Sequence, residues 1–410
     1  MADSAPPRVL ELTPLNPAFR DDPYAVLAHL REHHPVMRDE LAGVFLLSRY
    51  EDVRGVVTDL TLWRSPKKAE EAAVLTRRIL ERDESMPDRE GVGSILLLDD
   101  PDHARIRGPL AQALYKRVAK CRPLVEEVVA EALGKLEGRE GFDLMAEVSL
   151  PIPIDVIARI LGVDHTRLAE FRDWSEGIIQ SLNPLRTPEQ TEHMMRASEA
   201  LGGFMTAMLA MRRAKGEDDL VTDMVELQAA GADLPDPDLI SNLISLLVGG
   251  NLTTTDLIGN GARQFLLNPS ERAKLVADPG LIGAAVEEVL RYDPPVDVTG
   301  RIASREMEVR GCPVHTSQSM MLSLRAANRD PAVFEEPDTF NITRKKSPHV
   351  AFGGGAHICI GAPLARLEGQ VTLLRLFERF PNLRLAEPEA AAQWRSLPFF
   401  RGLQRLDVLT

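Results

Sequence analysis

Residues 352–361 read Phe352-Gly353-Gly354-Gly355-Ala356-His357-Ile358-Cys359-Ile360-Gly361. They carry one thiol at the end of a glycine-rich loop. An apolar segment with helical spacing follows, and Pro363 stands in its first turn, a position proline tolerates. The spacing therefore delivers the Cys359 sulfur to a helix N-terminus, where unsatisfied N–H groups and a partial positive charge favour thiolate over thiol. The glycines let the backbone turn tightly and approach a flat ligand closely. Two readings stand side by side. A lone intracellular cysteine is commonly a small buried hydrophobe, whereas a thiolate here would be a metal ligand. A phosphate cradle ranks far behind, because no Lys-Ser/Thr follows the last glycine.

A second stretch bears on chemistry. Residues 235–268 form the longest helical pattern, from Pro235-Asp236 to just before Asn268-Pro269, about 50 Å at 1.5 Å per residue. Its middle is apolar, so it should cross the core. Two adjacent glycines, Gly249 and Gly250, cost about 1 kcal/mol each there against alanine and open space beside the backbone. Thr253 lies three and four residues on, so its hydroxyl shares the glycine face. The plainer alternative is a kink, with threonines bonding back to carbonyls.

Charged groups recur at useful spacings. His103 and Arg107, four apart after Asp100-Pro101, share a helix face and suit a carboxylate ligand; an ordinary surface ion-pair face is the alternative. Glu288 and Arg291 are three apart before Pro294-Pro295, and as an exposed pair would contribute little. Arg301 opens a strand-like region, 301–324, where alone it would be a solvated edge charge.

These residues need a scaffold, and the chain is long enough to supply one. It has 410 residues, 44% hydrophobic and 27% charged, with net charge −13. No basic arm appears, which argues against a nucleic-acid binder. Cys121, Cys312 and Cys359 are an odd, sparse set, expected of a reducing compartment without disulfides. The N-terminus has no signal-like region and no stretch reaches the roughly 20 apolar residues of a membrane span, so the expected location is cytoplasmic. No repeat or low-complexity linker divides residues 1–410, which read as one compact unit. Helices are expected at 23–34, 50–59, 66–85, from about 102, and at 121–138, 144–161, 164–182, 188–214, 235–268, 280–291 and 360–379. Residues 35–48 read as a β-hairpin.

The pattern F-x-x-G-x-x-x-C-x-G at Phe352, Gly355, Cys359 and Gly361 resembles the cysteine loop of the cytochrome P-450 family. E-x-x-R followed by Pro-Pro matches its second signature. His103 and Arg107 resemble its D-P-P-x-H-x-x-x-R element. Gly249-Gly250-Asn251-Leu252-Thr253 fits its A-G-x-[DE]-T groove, except that Leu252 replaces the acid. The resemblance covers almost the whole chain. It implies a mainly α fold with small β-sheets (α+β), a β-rich lobe at about 30–60 and 295–330, and haem b between a long central helix and the cysteine loop. It implies Cys359 as the iron ligand within a loop framed by Phe352 and Gly361. It also implies propionate partners at His103, Arg107, Arg301 and His357, a buried Glu288–Arg291 pair bracing the haem loop, and O2 as co-substrate in the groove.

The implied activity is monooxygenation of a lipophilic small molecule. Val296, Asp297, Val298, Phe399 and Phe400 are the pocket candidates, with 66–85 capping the pocket. The helices 164–182 and 188–214 would form a lid, for which Met194, Met195, Met205, Met208 and Met211 supply flexible side chains. Leucine carries no protons, so three routes stay open at Leu252: Asn251 with water, Thr253 with water alone, or use of peroxide. With no flavin or iron–sulfur module in the chain, electrons would come from a ferredoxin steered by Lys116, Arg117, Lys346 and Arg366. The alternatives are a peroxide-driven peroxygenase and a non-catalytic haem-thiolate sensor or carrier.

Overall fold

The computed structural model describes residues 6–79, 93–387 and 392–410. The helix Asp236–Leu267 is its axis, with Asp236 and Asp238 in the first turn complementing the helix dipole. Leu243, Leu247, Leu257, Ile258 and Phe265 are buried along it, so it crosses the core. The helices Pro151–Leu161, Ala362–Arg379 and Ile282–Tyr292 pack against it. Contact with Ala362–Arg379 is close because glycines face it: a Cβ at Gly261 would lie 2.9 Å from Leu373 Cδ1. Pro269 begins a separate helix, Pro269–Ala277.

Four strands form the largest sheet, in the order Val36–Asp39, Val44–Leu47, Ser319–Ser323, Val298–Ile302. The outer pairs are antiparallel and the middle pair is parallel, with Val44 opposite Ser319. The expected hairpin at 35–48 is its edge. Phe45, Leu47, Met320 and Leu322 bury one face against Val53 and Val57 of the helix Tyr50–Thr58. Trp63 and Ile302 then exchange two backbone hydrogen bonds, 2.9 and 2.8 Å, which dock the chain after that helix onto the last strand. Among the described residues no helix is long and apolar enough to cross a membrane.

Several expected elements come out differently. The helix expected at 66–85 is a short turn at Pro66–Lys68 and a five-residue helix at Val74–Arg78; residues 80–85 lie outside the described residues. The helix expected at 144–161 begins as a π-helical turn, Met145–Ser149, and the α-helix starts at Pro151, which has no N–H for the preceding turn to use. The helices Leu220–Ala229 and Pro269–Ala277 were not anticipated. In the helix Pro188–Ala214, Met205 and Met208 join the main core and Met211 is exposed, and none of the five methionines lines the large cavity. The methionine stripe therefore divides between core and surface.

The carboxylate of Glu288 is 1% exposed and meets Arg291 in a two-pronged pair, 2.7 and 2.8 Å. Arg344 Nε adds a third bond at 3.1 Å, and the Asn341 N–H donates a fourth. The remaining Arg291 donors reach the carbonyls of Asn328, Pro337 and Thr339. The pair thus braces residues 328–344, which lead into the cysteine loop, rather than touching that loop. Two arginines would be left without this anion in Glu288→Gln. The expected loss of unfolding free energy is about 3–5 kcal/mol, read by denaturant titration.

Candidate active site

The cysteine loop folds by short local bonds. Gly353 N–H donates to Val350 O, Ile358 N–H to Gly355 O, and Cys359 N–H to Phe352 O at 3.0 Å. Gly353 and Gly355 take φ of +68° and +66°, where a side chain would be strained. A Cβ at Gly355 would also lie 2.8 Å from the Val57 carbonyl oxygen. The loop therefore lies directly on the helix Tyr50–Thr58. Gly361 caps the helix Ala362–Arg379, and the N–H groups of Gly361 and Ala362 point at the Cys359 sulfur. Burial nonetheless pushes the thiol up; those amides, Arg107 and Arg366 pull the other way without prevailing. The expected preference for thiolate therefore does not come from the helix end alone, and a metal cation at the sulfur would supply the rest. Cys359 is accessible, but to an interior cavity of about 440 Å3.

Across that cavity stands the central helix. Gly249, Gly250, Leu252 and Thr253 all line it. A Cβ at Gly249 would meet nothing within 4 Å, so the space beside this glycine is open. Thr253 Oγ1 donates to Gly249 O at 2.9 Å, the back-bonding geometry given above as the plainer alternative, while the residue still faces the cavity. Asn251 is 4% exposed and is not on the cavity wall, since it is two residues, about 200°, from Gly249. Asn251 thus has no direct contact with the cavity. Leu252 packs with Val248, Ile179 and Phe400 in an apolar cluster. The next acid along the helix, Asp256, is wholly buried and bonded to Arg395, and burial raises its pKa to about 6. It does not line the cavity.

The cations converge at one edge. The His103 and His357 rings stack with centroids 4.1 Å apart. Their inner nitrogens, His103 Nε2 and His357 Nδ1, are buried without a partner. Arg107 bonds to Ile358 O, and Arg301 to Val57 O and Gly354 O, 2.9 and 3.1 Å. Burial, then His103 and three arginines, press the His357 pKa down to about 3, so its ring is neutral. Arg64, which lies outside every sequence motif, completes this edge. His357, Arg107, Arg301 and Arg64 line the apolar cavity, while His103 stacks on His357 without lining it. Two orphaned ring nitrogens and these arginines fit the carboxylates of a haem, and the glycine-flanked sulfur fits its iron.

Val296, Val298, Phe399 and Phe400 line the cavity, as do Phe352, Leu75, Ile79, Ile95 and Leu182. Asp297 does not; it turns away to pair with Arg325. Behind the cysteine loop, Glu287 bonds both Arg366 (2.6 and 3.0 Å) and His349 (3.1 Å), and Arg366 covers the Phe352 ring at 4.6 Å. Arg117 is likewise neutralised by Asp223 and Asp218. Lys346 is exposed, and so is Lys116, although Asp223 lies 4.0 Å from its ammonium. The basic face is thus weaker than the sequence suggests.

A cysteine loop facing a glycine–threonine groove across an apolar cavity, with cations at one edge, is the arrangement of a haem-thiolate oxygenase. Residues 273–390 match the family model described as cytochrome P450. The chain is 35% identical to cytochrome P450 107B1 of Saccharopolyspora erythraea over 98% of each protein. It is 33% identical to 6-deoxyerythronolide B hydroxylase of the same organism, over 95% of this chain and 96% of that one. The solved structure of myxobacterial CYP267B1 in complex with myristic acid superposes with a TM-score of 0.87 at 31% identity, covering 97% and 98%. The chain belongs to the cytochrome P450 family of monooxygenases.

Glu287 links the loop to the helix behind it, and its partners hold its pKa at about 2 although burial opposes them. A carboxylate depressed from about 4.5 adds stability that is present above that pH and lost as pH falls toward 2. Glu287→Gln should therefore cost roughly 2 kcal/mol near pH 7, allowing for solvent at this partly exposed site, and the gap from wild type should close by about pH 2. Parallel denaturant titrations across pH check it.

Proposed function

We propose that the whole chain, 1–410, acts as one cytoplasmic haem b monooxygenase domain that hydroxylates a lipophilic small molecule with O2 and electrons from a ferredoxin-type partner. The observation that carries this reading is the opposition of Cys359 and Thr253 across one apolar cavity. When bound, the haem supplies dioxygen activation at its iron. Cys359 holds that iron and donates electron density to it. Gly361 and Ala362 amides tune the sulfur. His103, Arg107, Arg301 and His357 hold the propionates. Gly249 and Gly250 leave room beside the backbone, and Thr253 positions water for proton delivery.

The proton route runs through Thr253 and water, because Leu252 is apolar and Asn251 faces away. Two similar proteins were solved with lipophilic ligands, myristic acid in one and corticosterone in another, which supports the substrate class. Val296, Val298, Phe399 and Phe400 would hold such a molecule. Partner docking would use Lys116, Arg117, Lys346 and Arg366, with Arg117 and Arg366 contributing less because each is closely paired, while Lys116 keeps only a 4.0 Å contact with Asp223. Peroxide use is the second reading, favoured by Leu252 alone.

Reconstituted protein should show a thiolate-type carbonyl spectrum that Cys359→His abolishes. Thr253→Ala should lower product formed per reductant consumed by about tenfold or more, and Leu252→Asp should change it too. Equal coupling in all three proteins, with full turnover on hydrogen peroxide, would select the peroxygenase.

A further inference from the structure

Arg64 is held as few cavity residues are. Trp63 docks its segment on the sheet. The backbone N–H groups of Arg64 and Ser65 cap the two carboxylate oxygens of Asp99. The guanidinium itself is fixed by neutral acceptors: Nε donates to Leu96 O at 3.0 Å, and Nη1 to Gly300 O at 2.6 Å and Thr299 Oγ1 at 3.1 Å. Among the described residues nothing accepts from Nη2. The side chain lines the cavity beside Arg107, Arg301 and His357, and no Asp or Glu of the described residues lines it. Burial and the Arg301 charge lower its pKa to about 9, so it stays protonated at neutral pH. A planar fork locked by carbonyls, with one N–H pair left over, is a preorganised anion receptor.

We propose that Arg64 Nη2 binds a carboxylate inside the cavity. The charges indicate where it comes from, on the haem reading above. Arg64, Arg107 and Arg301 are three cations, and Asp99 behind them offsets one. The two left over match the two propionates of a haem, which are the expected source. The acidic head of a lipophilic substrate is the other source. Occupancy has a consequence for the cavity wall. Arg64 Nε holds Leu96, while Asn242 holds Gly93 and Ile95, and Ser245 holds Ser94. A carboxylate on Arg64 therefore fastens residues 93–99 over the cavity.

The test compares wild type, Arg64→Gln and Arg64→Lys. Haem loss to excess apomyoglobin should be about tenfold faster in Arg64→Gln, and intermediate in Arg64→Lys, which keeps the charge without the fork. The difference should vanish with haem dimethyl ester. In the second arm, dodecanoic acid and dodecanol are titrated by calorimetry. If substrate is the source, Arg64→Gln weakens the acid about tenfold and leaves both the alcohol and haem loss unchanged. Unchanged haem loss together with an unchanged acid-to-alcohol ratio overturns the proposal. Should Arg64→Gln fail to fold, Arg64→Lys carries the same comparisons, and wild-type behaviour in both arms overturns it. A wild-type chain that takes up no haem would sink the haem-thiolate reading instead, and the acid–alcohol titration would still decide the role of Arg64.

Discussion

Two consecutive carboxylates fix where the cysteine stands. Glu288 points inward and collects Arg291, Arg344 and the Asn341 amide. Glu287, one residue earlier, points outward to His349 and Arg366, which flank the loop on either side of Cys359. One helix end therefore fastens both the approach to the loop and the helix that leaves it. A buried ion pair is poor evidence of stability by itself, since desolvation offsets most of its attraction. Its worth lies in geometry: displacing residues 328–344 would part Arg344 and the Asn341 amide from Glu288 and take the carbonyl acceptors from Arg291.

The opposite wall is built by different physics. The central helix is buried on nearly all sides, so its position is set by packing, and the glycines at 261 and 369 let a neighbouring helix come close. Gly249 uses the same freedom for the reverse purpose. A Cβ there would meet nothing within 4 Å, so this glycine leaves space beside the backbone at the cavity wall. A helix that tolerates glycine in its interior gives up propensity and is held by its tertiary contacts.

How much of this was legible depended on whether a signal was local. The loop at 352–361, the Glu288–Arg291 pair and the long helix were readable because spacing alone places their residues. Arg64 was not, because an arginine between two turns reads as a solvated charge; its burial arises only when Trp63 pairs with Ile302, far away in sequence. Glu287 was hidden by its neighbour, as only one of the two adjacent glutamates belongs to a motif. The π-turn at Met145–Ser149 was also beyond periodicity, which sees apolar spacing and not the pitch of a single turn. Asn251 is the opposite case: it lies in a motif, yet helical geometry turns it from the cavity.

The cationic edge works only because its members do not all carry charge. His103 and His357 stack at 4.1 Å, a separation two imidazolium rings would resist. Burial depresses both rings; Arg107 adds to it at His103, and His103, Arg64, Arg301 and Arg107 add to it at His357. Each neutral ring keeps one N–H and one lone pair, so the histidines offer hydrogen bonds while the arginines offer charge. A carboxylate entering here meets directional donors without an excess of positive field. Replacing either histidine by a permanent cation would add charge where three arginines already repel one another, and the stack that orients both rings would separate.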